Sequence, residues 1–175
     1  MQSDIVFKKI RVRLIVVSTV VTMTFLAFQH PRVTVFGWQK EEIYLGNQGV
    51  RLQTGINDCG PASLQMIFDH YEIPCTIQEI KRTIKPTEKG STMLALKEMS
   101  ELKGLHAEGW QVTVKDLSNI LFPAILFTRG DHFVVADSVC EDDVFVRDPA
   151  IGRLKIAKPK LSLMWKGEIL LFKRK

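Results

Sequence analysis

Near residue 105 the hydrophobic period of the chain changes, and few folds accommodate that change. Before it, Leu64, Ile67, Phe68 and Tyr71 recur at i, i+3, i+4 and i+7, the spacing of one apolar helical face. A helix is therefore expected over about 61–70, with Pro61 in its first turn and Glu72-Ile73-Pro74 ending it. A second helix is expected over 77–84, stopped before Pro86, and a third over 92–103, capped by Ser91 and closed by Gly104. After it, the pattern is one of short β-rich runs. A strand is expected over 107–114 and a short helix over 114–119, then PAILFT, HFVVADSV, DVFVRDP, LKIA and EILLFK, parted by Gly and Asp turns. Ahead of the first helix, Gly46, Asn47 and Gly49 mark a turn after one short strand. Helices first and strands second predict an α+β domain, with N-terminal helices packed on an antiparallel sheet.

The N-terminus has a separate logic. Lys8, Lys9, Arg11 and Arg13 precede residues 14–28, a run without a charge. Basic residues followed by an apolar run are the layout of a signal peptide or signal anchor. As a helix the run is about 22 Å long, short of a ~30 Å hydrocarbon core; snorkelling by Arg11 and Arg13 and thinning of the bilayer narrow the gap. A clean small-x-small cleavage site is missing, so an uncleaved anchor is expected in preference to a cleaved signal. Its apolar residues run all the way round, which argues against a core helix with one polar face. The positive residues lie before the segment, so the N-terminus is expected in the cytoplasm and the rest of the chain in the periplasm or outside the cell. The expected organisation is an anchor or signal over 1–32, a linker over 33–49 and one domain over 50–175. The net charge of +5 gathers largely at the two ends. No basic stripe interleaved with aromatics is present, so no nucleic-acid partner is expected.

The stretch QTGINDCGPASLQMIFDHY carries the chemistry. Cys59 stands where a loop becomes a helix, with the positive end of the helix dipole directed at its sulfur and Gly60 beside it. The same position suits a buried structural cysteine. Of the other two cysteines, Cys75 and Cys140 could pair with each other, or all three could be free thiols. The absence of C-x-x-C, of His-x₃-His and of HExxH argues against zinc, and nothing asks for a cofactor. A nucleophilic cysteine needs a base. Of His30, His70, His106 and His132, the last opens the strand HFVVADSV after an Arg129-Gly130-Asp131 turn, a rigid place for an imidazole. Asp148 ends the next strand. A hairpin turning near 140–143 would make it a neighbour of His132 and able to orient the ring. Gln53, six residues before Cys59, can offer a side-chain amide beside the Cys59 backbone N–H as an oxyanion donor.

These residues resemble a known family. Gln53…Asp58-Cys59-Gly60-Pro61-Ala62-Ser63-Leu64 is similar to the Q…DCG-x-A-x-L signature of the bacteriocin-processing, double-glycine cysteine peptidases. The likeness continues through Lys89-Gly90-Ser91-Thr92, Asp131-His132-Phe133-Val134-Val135, Val146-Arg147-Asp148-Pro149 and Trp165-Lys166-Gly167-Glu168. It implies a papain-like fold, with Cys59 as nucleophile, His132 as base and then acid, Asp148 as orienter and Gln53 in the oxyanion hole. It also implies cleavage of a leader or precursor peptide after a small pair such as Gly-Gly, through a thioester. The sequence carries no ATP-binding glycine loop and no bundle of six spans, so a stand-alone enzyme, serving a secretion or export system or trimming secreted proteins, is expected in place of an exporter. Three other readings stay open. An NlpC-type cell-wall endopeptidase also has an Asp-Cys pair at a helix start, but its cysteine is followed by Ser-Gly. A transglutaminase-like fold shares the order Cys, His, Asp. The third is a catalytically weak domain that only binds leader peptides.

Overall fold

The computed structural model describes residues 42–174. The basic cluster, the apolar run at 14–28 and His30 lie outside the described residues. Strand β1 (Glu42–Tyr44) comes first, then helices α1 (Cys59–His70), α2 (Ile77–Ile84) and α3 (Met93–Leu102). Strand β2 (Leu105–Gln111), a 3₁₀ turn (Asp116–Asn119), and strands β3 (Ala124–Thr128), β4 (His132–Cys140), β5 (Asp143–Asp148) and β6 (Gly152–Ala157) follow. Helix α4 (Lys158–Met164) leads into the last strand, β7 (Trp165–Arg174). The strands form one sheet in the order β1-β6-β5-β4-β3-β7-β2, and every neighbouring pair is antiparallel.

The period-two pattern of the strands puts apolar residues on both faces. In β4, Phe133 and Val135 join the core under the helices with Leu64, Ile67 and Phe68 of α1, Ile80 of α2 and Leu96 and Met99 of α3. Val134 and Ala136 point the other way, into a second core closed by Leu117, Leu161 and Trp165. Each such Leu, Ile or Phe contributes roughly 1.5–3 kcal/mol by leaving water. Helix α1 is clamped by more than packing: Ser63 Oγ, one turn after Cys59, donates to the Phe133 carbonyl at 3.2 Å, and both groups are buried.

The expected α+β architecture is present, with local differences that have physical causes. Helix α1 begins at Cys59, two residues before the expected start. The third helix is capped by Thr92, whose hydroxyl accepts from the Ala95 N–H at 3.1 Å; Ser91, the expected cap, is instead packed against Gly60. Strand β2 ends at Gln111, short of the expected end at Val114, with one more ladder bond beyond it, from Val112 N–H to the Gly167 carbonyl. Helix α4 was outside the sequence expectation: it is a two-turn segment in which Leu161 alone is buried, too short for a period to show.

Candidate active site

Asp58 is the residue before α1, and Cys59 is the first residue within it. The first-turn N–H groups of a helix have no intrahelical acceptors and carry its partial positive charge. The Cys59 sulfur receives the backbone N–H groups of Gly60 and Phe133 and a hydrogen bond from the His132 ring. It is 4% exposed. Burial pushes the thiol up, but the imidazole and the two backbone donors outweigh it and hold the thiol below its ordinary value.

His132 reaches this point because β4 passes beneath the first turn of α1. Its Nε2 lies 2.8 Å from Asp148 Oδ1, which leaves Nδ1 as the ring nitrogen for the sulfur. Burial favours the neutral ring, but the Asp148 and Cys59 partners prevail, and His132 is pushed up to about 9. Asp148 is 2% exposed, and its Oδ1 also accepts the Ala150 N–H at 2.8 Å. Cys59, His132 and Asp148 thus form a continuous chain of hydrogen bonds from a helix start to the end of a strand. Both shifts, the thiol down and the imidazole up, run towards a thiolate–imidazolium pair.

The His132–Asp148 contact depends on an irregularity in the β4–β5 hairpin. Near the turn the register pairs Cys140 with Asp143, Val139 with Val144 and Ser138 with Phe145. Beyond Asp137 it pairs Ala136 with Val146 and Val135 with Arg147, a shift of one residue. Such a bulge reverses which face the following side chains occupy. In the unshifted register Asp148 would fall opposite Val135, on the helix face. With the bulge it shares the face of Val134 and His132. Arg147 pins the bulge, its Nε lying 2.9 and 3.0 Å from the two Asp137 oxygens.

Gln53 is brought to the same end of the sheet but not into the hydrogen-bond chain. Its backbone N–H donates to the Pro149 carbonyl at 2.8 Å, tying its loop to the residue after Asp148. Its side-chain Nε2 donates to the Gly55 carbonyl at 3.2 Å, and its Oε1 is buried without a partner. Gly60 is held to glycine by packing. A Cβ there would sit 2.8 Å from Cβ and Oγ of Ser91 and 3.4 Å from Phe133, so glycine is required by the close approach of the Gly90-Ser91 loop.

The remaining candidates are accounted for. His70 stacks edge-on with Tyr71, and His106 sits between Glu101 and Glu108. Cys75 and Cys140 are free thiols, not a pair. Burial raises Cys75 to about 11, the opposite of Cys59. Among the described residues no group of His, Cys, Asp and Glu is placed to hold a metal ion. Sequence reading gave no role to Ser63, Lys81, Asp137 and Arg147, polar residues at ordinary positions on helices and strands, where no local pattern marks them.

The model of the Peptidase C39 family matches residues 47–175. The chain belongs to that family. A solved double glycine motif protease from an AMS/PCAT transporter, in complex with the leader peptide, is 25% identical with a TM-score of 0.69, covering 76% of this chain and 99% of that one. The peptidase domain of Streptococcus ComA, 20% identical with a TM-score of 0.68, shares the fold over 72% of this chain and 98% of that one. The lactococcin-G-processing and transport ATP-binding protein LagD of Lactococcus lactis is 30% identical over 126 residues, 67% of this chain but 18% of LagD. An uncharacterized protein of Methanothermobacter thermautotrophicus is 28% identical over 130 residues, 74% of this chain and 92% of that protein. The C39 fold seen here is therefore one that occurs both inside long transporters and in chains that it nearly fills.

Proposed function

We propose that this C39 peptidase is a cysteine endopeptidase that removes a leader from a precursor peptide by cutting after a small pair of the Gly-Gly type. The observation that carries the reading is the buried chain Cys59–His132–Asp148 at the start of α1. In the papain-like sequence of steps the Cys59 thiolate attacks the scissile carbonyl carbon, forming the C–S bond while the carbonyl π electrons move to oxygen. The oxyanion takes the Cys59 backbone N–H and the Gln53 amide as donors. As the tetrahedral species collapses, the C–N bond breaks and His132 gives its proton to the leaving amine. The thioester that remains is cleaved by a water whose proton returns to His132. Asp148 holds the ring throughout.

Gln53 Nε2 carries two hydrogens: one is held at rest by the Gly55 carbonyl, and the second can serve the oxyanion. Gln53 Oε1 is buried without a partner, at a cost of about 1–3 kcal/mol in the resting site. The same resting geometry favours a second reading, a leader-binding domain with weak catalysis. Mapping of protein N-termini in the native host, wild type against Cys59→Ala, separates the two. Particular termini, each preceded by a small pair, are expected to vanish in the variant. Unchanged termini under conditions where the protein is made, together with leader-peptide binding in vitro, would establish the second reading instead.

A further inference from the structure

Asp58 stands at the N-cap of α1, where an aspartate ordinarily accepts a hydrogen bond from the second or third helical N–H. It makes no such bond. Its side chain turns back and is 5% exposed. Oδ1 meets Lys81 Nζ of α2 at 2.6 Å, and Oδ2 accepts the Thr54 hydroxyl at 3.1 Å. Its backbone N–H donates to the Gly55 carbonyl at 3.2 Å, and a Cβ on Gly55 would lie 3.1 Å from Oδ2. The loop 53–58 is thus wrapped around one carboxylate. The Gly55 carbonyl, which takes the Asp58 backbone N–H, is also the acceptor of the Gln53 amide. At the outer end the Gln53 N–H is clipped to Pro149. The loop hangs between two fixed points, the Asp148 turn and the Asp58–Lys81 pair.

A buried carboxylate without its counter-ion is costly. Lys81 is therefore needed for Asp58 to stay where it is. Removal of Lys81 leaves the carboxylate free to swing to water or to cap α1, and either movement releases the Thr54 hydroxyl and the Gly55 N–H. The Lys81 side chain is 41% exposed, so the substitution itself leaves no buried hole.

We propose that Asp58 and Lys81 are positioning residues for the oxyanion donor: the ion pair sets the conformation of loop 53–58 and, through it, the place of the Gln53 amide. The inference rests on the peptidase reading above. It predicts a specific pattern, because Lys81 acts through Gln53 and not on the sulfur or on leader binding.

The test compares Lys81→Met, Lys81→Arg, Gln53→Ala and the Lys81→Met/Gln53→Ala double variant in the full chain. One measurement is hydrolysis of a precursor peptide in which the Gly-Gly pair is followed by further residues. The other is capture of the matching peptide aldehyde, whose carbonyl carbon bonds to the Cys59 sulfur and whose oxygen takes the oxyanion position without turnover. Lys81→Met is expected to lower kcat about tenfold to a hundredfold and to weaken aldehyde capture, with KM and the pH limbs unmoved. Lys81→Arg restores most of both. In the Gln53→Ala background Lys81→Met is expected to cost nothing further. Equal losses in both backgrounds, or a shifted acid limb of the pH profile, would overturn the proposal. A wild-type chain that captures the aldehyde but does not turn over still tests the pair. One that neither cleaves nor captures removes the peptidase reading, and the inference with it.

Discussion

At Cys59 two opposing effects set the charge of the sulfur. Burial favours the neutral thiol, while His132 and the Phe133 and Gly60 N–H groups favour the thiolate, and the second set wins. At His132 burial favours the neutral ring, and the Asp148 carboxylate and the Cys59 sulfur together raise it to about 9. Because the two groups share a hydrogen bond, they titrate as a pair. The working state, thiolate with imidazolium, is gained as pH rises past the lowered thiol range and lost as His132 gives up its proton near 9. The stability contributed by the His132 contacts has the same upper bound. It is complete below the ordinary imidazole range and disappears as pH rises through about 9. In a chain carrying Cys75→Ser and Cys140→Ser, iodoacetamide is predicted to alkylate Cys59 at pH values where an ordinary thiol, near 8.5, is largely protonated. Asp148→Ala removes the larger of the two influences that raise His132. Its alkaline limb is predicted to move to lower pH, and kcat/KM to fall about 10²–10⁴-fold. Alkylation that follows an ordinary thiol, or an alkaline limb that stays in place in Asp148→Ala, would contradict this assignment.

The β4–β5 hairpin decides whether His132 and Asp148 can meet, and it does so through one extra residue. The bulge at Asp137 places Asp148 on the His132 face, and the Asp137–Arg147 pair is the interaction that fixes it, with Arg147 also donating to the Gly49 carbonyl at 3.1 Å. Hydrogen bonds to charged groups are worth about 1.5–3 kcal/mol each, and this pair makes two of them at the bulge. Arg147→Ala is therefore predicted to lower kcat at least tenfold while the circular dichroism spectrum stays that of the folded domain; a variant with full kcat would show that the strands hold the register unaided. Much of this was legible in advance. The period change gave helices on an antiparallel sheet, and the spacing of His132 and Asp148 around a turn gave their meeting. The bulge was not legible, because Asp137 in HFVVADSV occupies what looks like a regular outward position, and a shift of register has no local composition. Lys81 was hidden for a different reason. Its partner lies on another element, and a lysine on an amphipathic helix reads as solvated. The direction of the Gln53 amide depends on a carbonyl two residues away, a matter of loop conformation that residue type does not determine.

At the scale of the whole molecule the question is which compartment supplies the substrate. Among the described residues no helix is long and apolar enough to cross a membrane. We propose that residues 14–28, behind Lys8, Lys9, Arg11 and Arg13, anchor the chain with the peptidase domain outside. The uncharged run is short for a bilayer, but Arg and Lys stems can lie along its end and carry their charges into the headgroups. The basic side stays in the cytoplasm because translocating several cations against the membrane potential is unfavourable. The chain is predicted to sediment with membranes, to resist high salt and carbonate, and to dissolve in detergent, while a chain lacking residues 1–32 is soluble. Protease added to intact cells or spheroplasts should digest the domain while a cytoplasmic marker survives. Protection equal to that of the marker would reverse the topology. The result bears directly on specificity: an outward-facing Cys59 can meet only precursors that have already crossed the membrane, so its cut would follow export, and the peptides that lose their leaders in wild type but not in Cys59→Ala should then accumulate, uncut, outside the cytoplasm.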